Sequence, residues 1–235
     1  MARLDLDALR RTPAYPFAEA AHYLNLPLST LRSWCLGQPY HDRHGRPSEF
    51  RRVIRLDGQK GEGLSFLNLV EAHVLKAIRR AHGVSLPKVR KALQYVGSEL
   101  GIERPLANAK FQTNGVDLFV EQIGRLLNVT QHGQLEMDEL LRAHLQRVEW
   151  DAAGIPIKLY PFTRKHAEAG APAPVEIDPR VAFGRPVLKG KGVPTAILAD
   201  RFKAGDSLLM LAGDYETSTE EIEEAIRCEL DRKAA

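Results

Sequence analysis

The segment Phe17-Ala-Glu-Ala-Ala-His-Tyr-Leu-Asn-Leu-Pro-Leu-Ser-Thr-Leu-Arg-Ser-Trp-Cys-Leu36 constrains this 235-residue chain more than any other stretch. Its apolar positions Ala20, Leu24, Leu26, Leu31 and Trp34 have the spacing of two short helices packed on each other. Ala21 is small enough for a close crossing. Asn25 stands where the connecting turn needs a residue comfortable at positive φ, a role asparagine fills best after glycine. Pro27 suits the start of the second helix, where its missing N–H is not needed. Leu28, Ser29, Thr30, Arg32 and Ser33 then lie near or on the outward face. They are mostly short hydrogen-bonding side chains plus one guanidinium, a set suited to phosphates and base edges. The segment reads as a DNA-binding helix-turn-helix, with Ser29, Thr30, Arg32 and Ser33 as its contacts.

Charge supports that reading. Residues 1–100 hold 16 lysines and arginines against 9 acids, whereas residues 101–235 hold 17 against 21. The net charge of +3 therefore conceals a basic front and an acidic rear, and a basic module is what meets phosphates. Arg43, Arg46, Arg51, Arg52, Arg55 and Lys60 flank or occupy an expected strand over Arg51–Leu56, bounded by Asp57-Gly58 and Gly61–Gly63. A basic hairpin of this kind beside a helix-turn-helix is a wing, so Arg51, Arg52 and Arg55 join the expected DNA contacts.

The expected fold is mainly α with small β elements: an N-terminal winged helix-turn-helix, and a C-terminal β-hairpin with three helices. Residues 1–100 form the DNA-binding domain, 101–162 a connecting α/β region, 163–174 a linker rich in Ala, Gly and Pro, and 175–235 a second domain. Two helices are expected in Leu64–Val96, broken near His82–Pro87. Asn114-Gly115 between alternating apolar residues predicts a hairpin over Phe111–Val120. A helix over Leu135–Val148 and a strand over Ile155–Phe162 follow. Ser218 and Glu221 have capping-box spacing at the start of the last helix.

The first hundred residues resemble the MerR-type winged helix-turn-helix family. The likeness rests on Glu19-Ala20-Ala21, Leu24, Ser29-Thr30-Leu31-Arg32 and Trp34, then Leu75, Ile78-Arg79-Arg80, Gly83-Val84-Ser85-Leu86 and Val89. The long dimerising helix and ligand-binding cysteines of metal-sensing members are absent, so metal or drug sensing is not carried over. Residues 175–235 resemble a domain of formerly unknown function found in VapB-type antitoxins. That likeness rests on Val175–Pro179, Phe183–Thr195, Asp200–Ser207, Gly213-Asp214-Tyr215 and Thr219–Ile226. Many members carry arginine where this chain has Gly192. The resemblance implies an antitoxin that binds its own operator DNA, acts as a homodimer and neutralises a PIN-domain ribonuclease with an acidic, Mg²⁺-dependent site. The alternative is a stand-alone MerR-like transcription regulator.

The final helix carries Glu220, Glu221, Glu223, Glu224, Glu229 and Asp231 against Arg227, Arg232 and Lys233, and phosphates should repel it. The rear domain is therefore read as a dimerisation and partner-binding module. Arg180, Arg185, Lys189 and Lys191 lie within twelve residues that contain no acid, and are the expected toxin contacts. No enzyme, metal or cofactor is expected. The histidines of His41-Asp42-Arg43-His44 match no ligand set, and Lys189-Gly190-Lys191-Gly192 lacks the spacer of a phosphate-binding loop. Two distant cysteines, an acidic start and no long apolar run suggest a soluble cytoplasmic protein without membrane spans.

Overall fold

The computed structural model describes residues 5–41, 44–59, 61–80, 84–127, 131–164 and 170–230. Ten helices and three two-stranded antiparallel sheets lie among them. Helix α1 (Leu6–Arg11) starts at Asp5, whose carboxylate accepts from the Asp7 amide at 3.0 Å. Helices α2 (Phe17–Tyr23) and α3 (Leu28–Leu36) follow, then a hairpin of β1 (Gln38–His41) and β2 (Pro47–Phe50) with Gln38 opposite Phe50. Helix α4 (Phe66–Arg80) precedes α5 (Leu86–Leu100), which ends at Gly101 in the left-handed region that a helix stop favours. Of the break expected near His82–Pro87, His82 and Gly83 lie outside the described residues.

Helix α4 is the axis of the front half. Residues 66–78 are buried without interruption, so this helix is covered on every side. Its buried polar groups have partners, as a low-dielectric interior demands. Lys76 donates to the Leu24 carbonyl at 2.8 Å, and the Asn68 amide donates to the Arg55 carbonyl at 2.8 Å and to Glu71 at 2.9 Å. One His73 ring nitrogen lies 3.0 Å from the His144 carbonyl. Burial holds the His73 imidazole well below its usual range, with His144 and Lys76 acting in the same direction.

The middle of the chain corrects one expectation. Phe111–Val120 is not a hairpin: a π-helical turn over Phe111–Gly115 runs into α6 (Val116–Leu127). Phe111, Val116, Phe119, Val120 and Ile123 are all buried in the front core, and the Phe111 and Phe119 rings meet edge-on at 6.0 Å. Burying both aromatics requires helical spacing, which overrides the local turn preference of Asn114-Gly115. Gly115 serves close packing instead, since a Cβ there would come within 2.8 Å of the Phe111 ring. Helix α7 (Gln131–Leu145) then packs on α4, and β3 (Val148–Trp150) pairs with β4 (Pro156–Leu159). One apolar cluster runs from Tyr15 to Ile177, so residues 101–162 share the core of the helix-turn-helix.

The rear unit has its own core of Val175, Leu188, Leu198, Ala199, Leu211, Ala212, Ile222, Ala225, Ile226 and Cys228. It comprises β5 (Val175–Glu176), β6 (Val187–Leu188), α8 (Thr195–Lys203), α9 (Leu208–Asp214) and α10 (Thr219–Leu230). Ser218 and Glu221 exchange backbone-to-side-chain bonds at 3.2 and 3.5 Å, forming the expected capping box. The described ends of 163–174 are held in place: Arg164 donates to Glu224 of α10 at 2.5 and 2.8 Å, and Arg147 donates to the Pro172 carbonyl at 2.9 Å. Residues 165–169 lie outside the description.

Candidate nucleic-acid interface

The turn between α2 and α3 has the geometry that the side chains require. Asn25 lies at φ 50°, the Leu26 amide reaches back to the Ala21 carbonyl at 2.8 Å, and Ala20, Leu24, Leu31 and Trp34 are buried. The Asn25 side chain does a second job by donating to the Phe162 carbonyl at 2.8 Å, which ties the turn to the end of the connecting region. On α3, Ser29 and Arg32 are exposed, while Thr30 and Ser33 are half-buried. The Arg32 guanidinium lies 6.0 Å from the centre of the Phe17 ring, at the outer limit of a cation–π contact, and has no acid within ion-pair distance among the described residues.

The wing is present but displaced. Its strands are β1 and β2, whereas Arg51–Leu56, expected as a strand, is irregular. The Val53 and Ile54 amides both donate to the Trp34 carbonyl, at 2.8 and 3.0 Å, so they are unavailable to a strand ladder. Ile54 is buried in the front core. Arg51 and Arg52 are exposed just after the hairpin, and Arg55 forms an exposed ion pair with Glu103 at 3.1 Å. Such a pair adds little stability. Arg46 is exposed at the hairpin, and Arg43 and Lys60 lie outside the described residues.

Two arginines beside this segment went unnoticed in the sequence. Arg90 of α5 donates to the Arg51 carbonyl at 2.6 Å, and Arg104 donates to Asp57 at 2.7 and 3.0 Å. Together with Arg52, Arg55 and Glu71 they line a cavity of about 480 Å³. Burial pushes the Glu71 carboxyl up to about 7, against the opposing pull of Arg104 and the Asn68 amide. Arg90 follows Val89 of α5 in sequence, but only the folded path of 51–55 shows that the two segments meet.

The rear unit repeats the turn with the opposite charge. Glu216 lies at φ 49°, and the Thr217 amide reaches the Ala212 carbonyl at 3.0 Å, as Leu26 reaches Ala21. Aligning the two turns sets Ser29, Thr30, Arg32 and Ser33 of α3 against Glu220, Glu221, Glu223 and Glu224 of α10. Glu220, Glu221 and Glu223 are exposed, and Glu224 is buried against Thr163 and Arg164. A helix carrying three exposed carboxylates there opposes a phosphate backbone. Asp231, Arg232 and Lys233 lie outside the described residues.

The expected toxin contacts separate in space. Arg180 forms a two-bond pair with the buried Asp178 at 2.6 and 2.9 Å. Burial alone would raise the Asp178 carboxyl, yet that pair and the Arg180 amide hold it below its usual range. Lys189 stands 5.0 Å over the Tyr160 ring, and Lys191 is 3.9 Å from the exposed Glu216. Both flank the turn at Gly190, whereas Arg185 lines a recess against α2. Burial pushes the thiols of Cys35 and Cys228 up to about 12, which leaves them protonated and unreactive at neutral pH. Among the described residues no cluster of three or more His, Cys, Asp or Glu could hold a metal, and no helix is long and apolar enough to cross a membrane.

A helix-turn-helix with the exposed Arg32 on its second helix, a hairpin directly after it and a second, acidic turn unit define a helix-turn-helix protein. Residues 13–93 match the family described as "Putative DNA-binding HTH domain", and residues 175–227 match "Protein of unknown function (DUF433)". The chain is a homologue of the Mycobacterium tuberculosis (strain ATCC 25618 / H37Rv) protein named "Putative antitoxin VapB45". The two are 29% identical over 231 residues, covering 91% of this chain and 92% of the relative. The crystal structure of Rv2018 from Mycobacterium tuberculosis shares the fold, with a TM-score of 0.65 and 22% identity over 92% of this chain and 98% of that one.

Proposed function

We propose that this chain is an antitoxin whose front domain binds operator DNA and whose rear domain captures a toxin. The near-full-length likeness to a protein named as an antitoxin supports the reading, because it spans both domains and the region between them. The charge contrast between α3 and α10 supports a division of labour in which the front helix meets phosphates and the rear helix does not. The chain acts as a homodimer, since paired helix-turn-helix modules read paired half-sites. Its toxin is a PIN-domain ribonuclease with clustered carboxylates, and cations must face that cluster.

Lys189 and Lys191 meet this requirement best, being exposed on either side of a turn. Arg180 is committed to Asp178, and its loss would leave a buried carboxylate unpaired. The test is therefore Lys189→Gln with Lys191→Gln, assayed against the ribonuclease encoded by the neighbouring reading frame. Inhibition should weaken about 10-fold or more, while binding to the DNA upstream of the chain's own coding sequence persists. Unchanged inhibition with collapsed DNA binding would place these lysines on DNA and overturn the assignment.

A further inference from the structure

The turn before β6 holds a residue in a conformation its side chain disfavours, and presents it to solvent. Ala182, Phe183 and Gly184 lie at φ 48°, 57° and 76°, three consecutive residues in the left-handed region. For a bulky side chain such as phenylalanine this is an outlier that glycine would adopt without strain. Phe183 gains no packing in return, being 94% exposed. Gly184 is fixed in place, because a Cβ there would collide with the buried Tyr15 hydroxyl. An aromatic residue held on a strained, anchored turn without contacts of its own points to a binding role.

A complementary surface lies two residues further along. Arg185 and Pro186 line a recess of about 200 Å³ with Glu19 and Tyr23 of α2, and Pro194, Thr195, Ala196 and Glu229 of the rear unit. Its walls are partly apolar, through two prolines, Ala196 and the Tyr23 ring. Among the described residues neither Glu19 nor Arg185 forms an ion pair, although both face this recess. A projecting aromatic beside its own recess, with an arginine and a glutamate at that recess that form no ion pair among the described residues, is an arrangement a two-fold contact can use: each copy offers both halves.

We infer that Phe183 is the anchor of a two-fold self-association, seated in the recess of a second copy with Arg185 facing that copy's Glu19. This rests on the homodimer reading above and names the surface that forms it. It also joins the rear unit of one copy to helix α2 of the other, so association fixes the spacing of the two DNA-reading helices.

The experiment is sedimentation equilibrium of the full-length chain, with thermal unfolding measured in parallel. The wild type should be a dimer at micromolar concentration. Phe183→Gly should weaken association about 30-fold or more and, at concentrations low enough that both proteins are monomeric, leave Tm unchanged or raised by about 2–4 °C. Arg185→Glu and Glu19→Arg should each be monomeric alone and form a heterodimer when mixed, since only contacts between copies become complementary on mixing. A wild-type dimer unaffected by Phe183→Gly would overturn this interface and leave the homodimer reading standing. A wild-type monomer would overturn both. A lowered Tm for monomeric Phe183→Gly relative to the monomeric wild type would make the residue part of the fold, contradicting the inference. Lost ribonuclease capture with intact self-association would identify the toxin as the occupant instead.

Discussion

Raising the salt concentration from about 50 to about 200 mM is expected to weaken the chain's binding to the DNA upstream of its coding sequence by about a thousandfold. Among the described residues, Arg32, Arg51 and Arg52 are exposed cations on or near α3 that form no ion pair. Two copies would therefore neutralise about six phosphates, and log affinity should fall against log salt with a slope of about −5. Arg55 contributes less, since Glu103 already faces it. The acidic rear of the chain steepens nothing: α10 holds its carboxylates away from DNA or pays repulsion that salt relieves. A slope shallower than about −2 would show that phosphate contacts do not dominate.

Trp34→Ala should lower stability by about 3–5 kcal/mol, the range for emptying a large buried aromatic site. Trp34 is 2% exposed and sits where α3 meets the core. Its carbonyl also receives the Val53 and Ile54 amides, so the residue joins the end of α3 to the segment carrying Arg51, Arg52 and Arg55. The side-chain loss acts on both through one site: the cavity loosens α3, and a loosened α3 carries the arginine segment with it. Chemical denaturation of wild type and variant measures the change. A loss below about 1 kcal/mol would mean that α3 is held by other contacts.

The helix-turn-helix was legible because its determinants are local. Ala21, Asn25 and Pro27 each answer a demand set within a few residues, and Asn25 has the positive φ its position implied. The capping box at Ser218 and Glu221 was legible for the same reason. The wing was legible as an element but misplaced. Val53-Ile54 has strand composition, but its amides are taken by Trp34, nineteen and twenty residues earlier, a pairing no local pattern reveals. Asn114-Gly115 carried a hairpin signal that yielded to Phe111 and Phe119 packing in the front core.

The basic strip at 180–191 shows a different shortfall. Counting acids only inside that window missed Asp178, two residues before it, which holds Arg180. Glu216, near Lys191, could come only from the fold. Phe183 alternates in sequence with Val187 and Val193, a pattern that predicts all three facing a core, but Phe183 is 94% exposed: neither its exposure nor its φ is visible in the sequence. The three helices of the rear unit were legible, and so were the acids of its last helix. Their register against Ser29, Thr30, Arg32 and Ser33 became clear once Asn25 and Glu216 shared a backbone conformation.

That register supplies the most direct test of the account, which holds that the front helix reads DNA and the rear helix does not. The measurement is an anisotropy titration of the upstream DNA with wild type, Arg32→Ala, and the triple variant Glu220→Ala, Glu221→Ala and Glu223→Ala. Arg32→Ala should weaken binding by about 5- to 150-fold, the range for losing a base-reading guanidinium. The triple variant should bind as tightly as wild type or slightly more tightly, since it only removes negative charge. Wild-type affinity for Arg32→Ala together with a clear loss for the triple variant would contradict the account, because α10 would then be the helix on DNA.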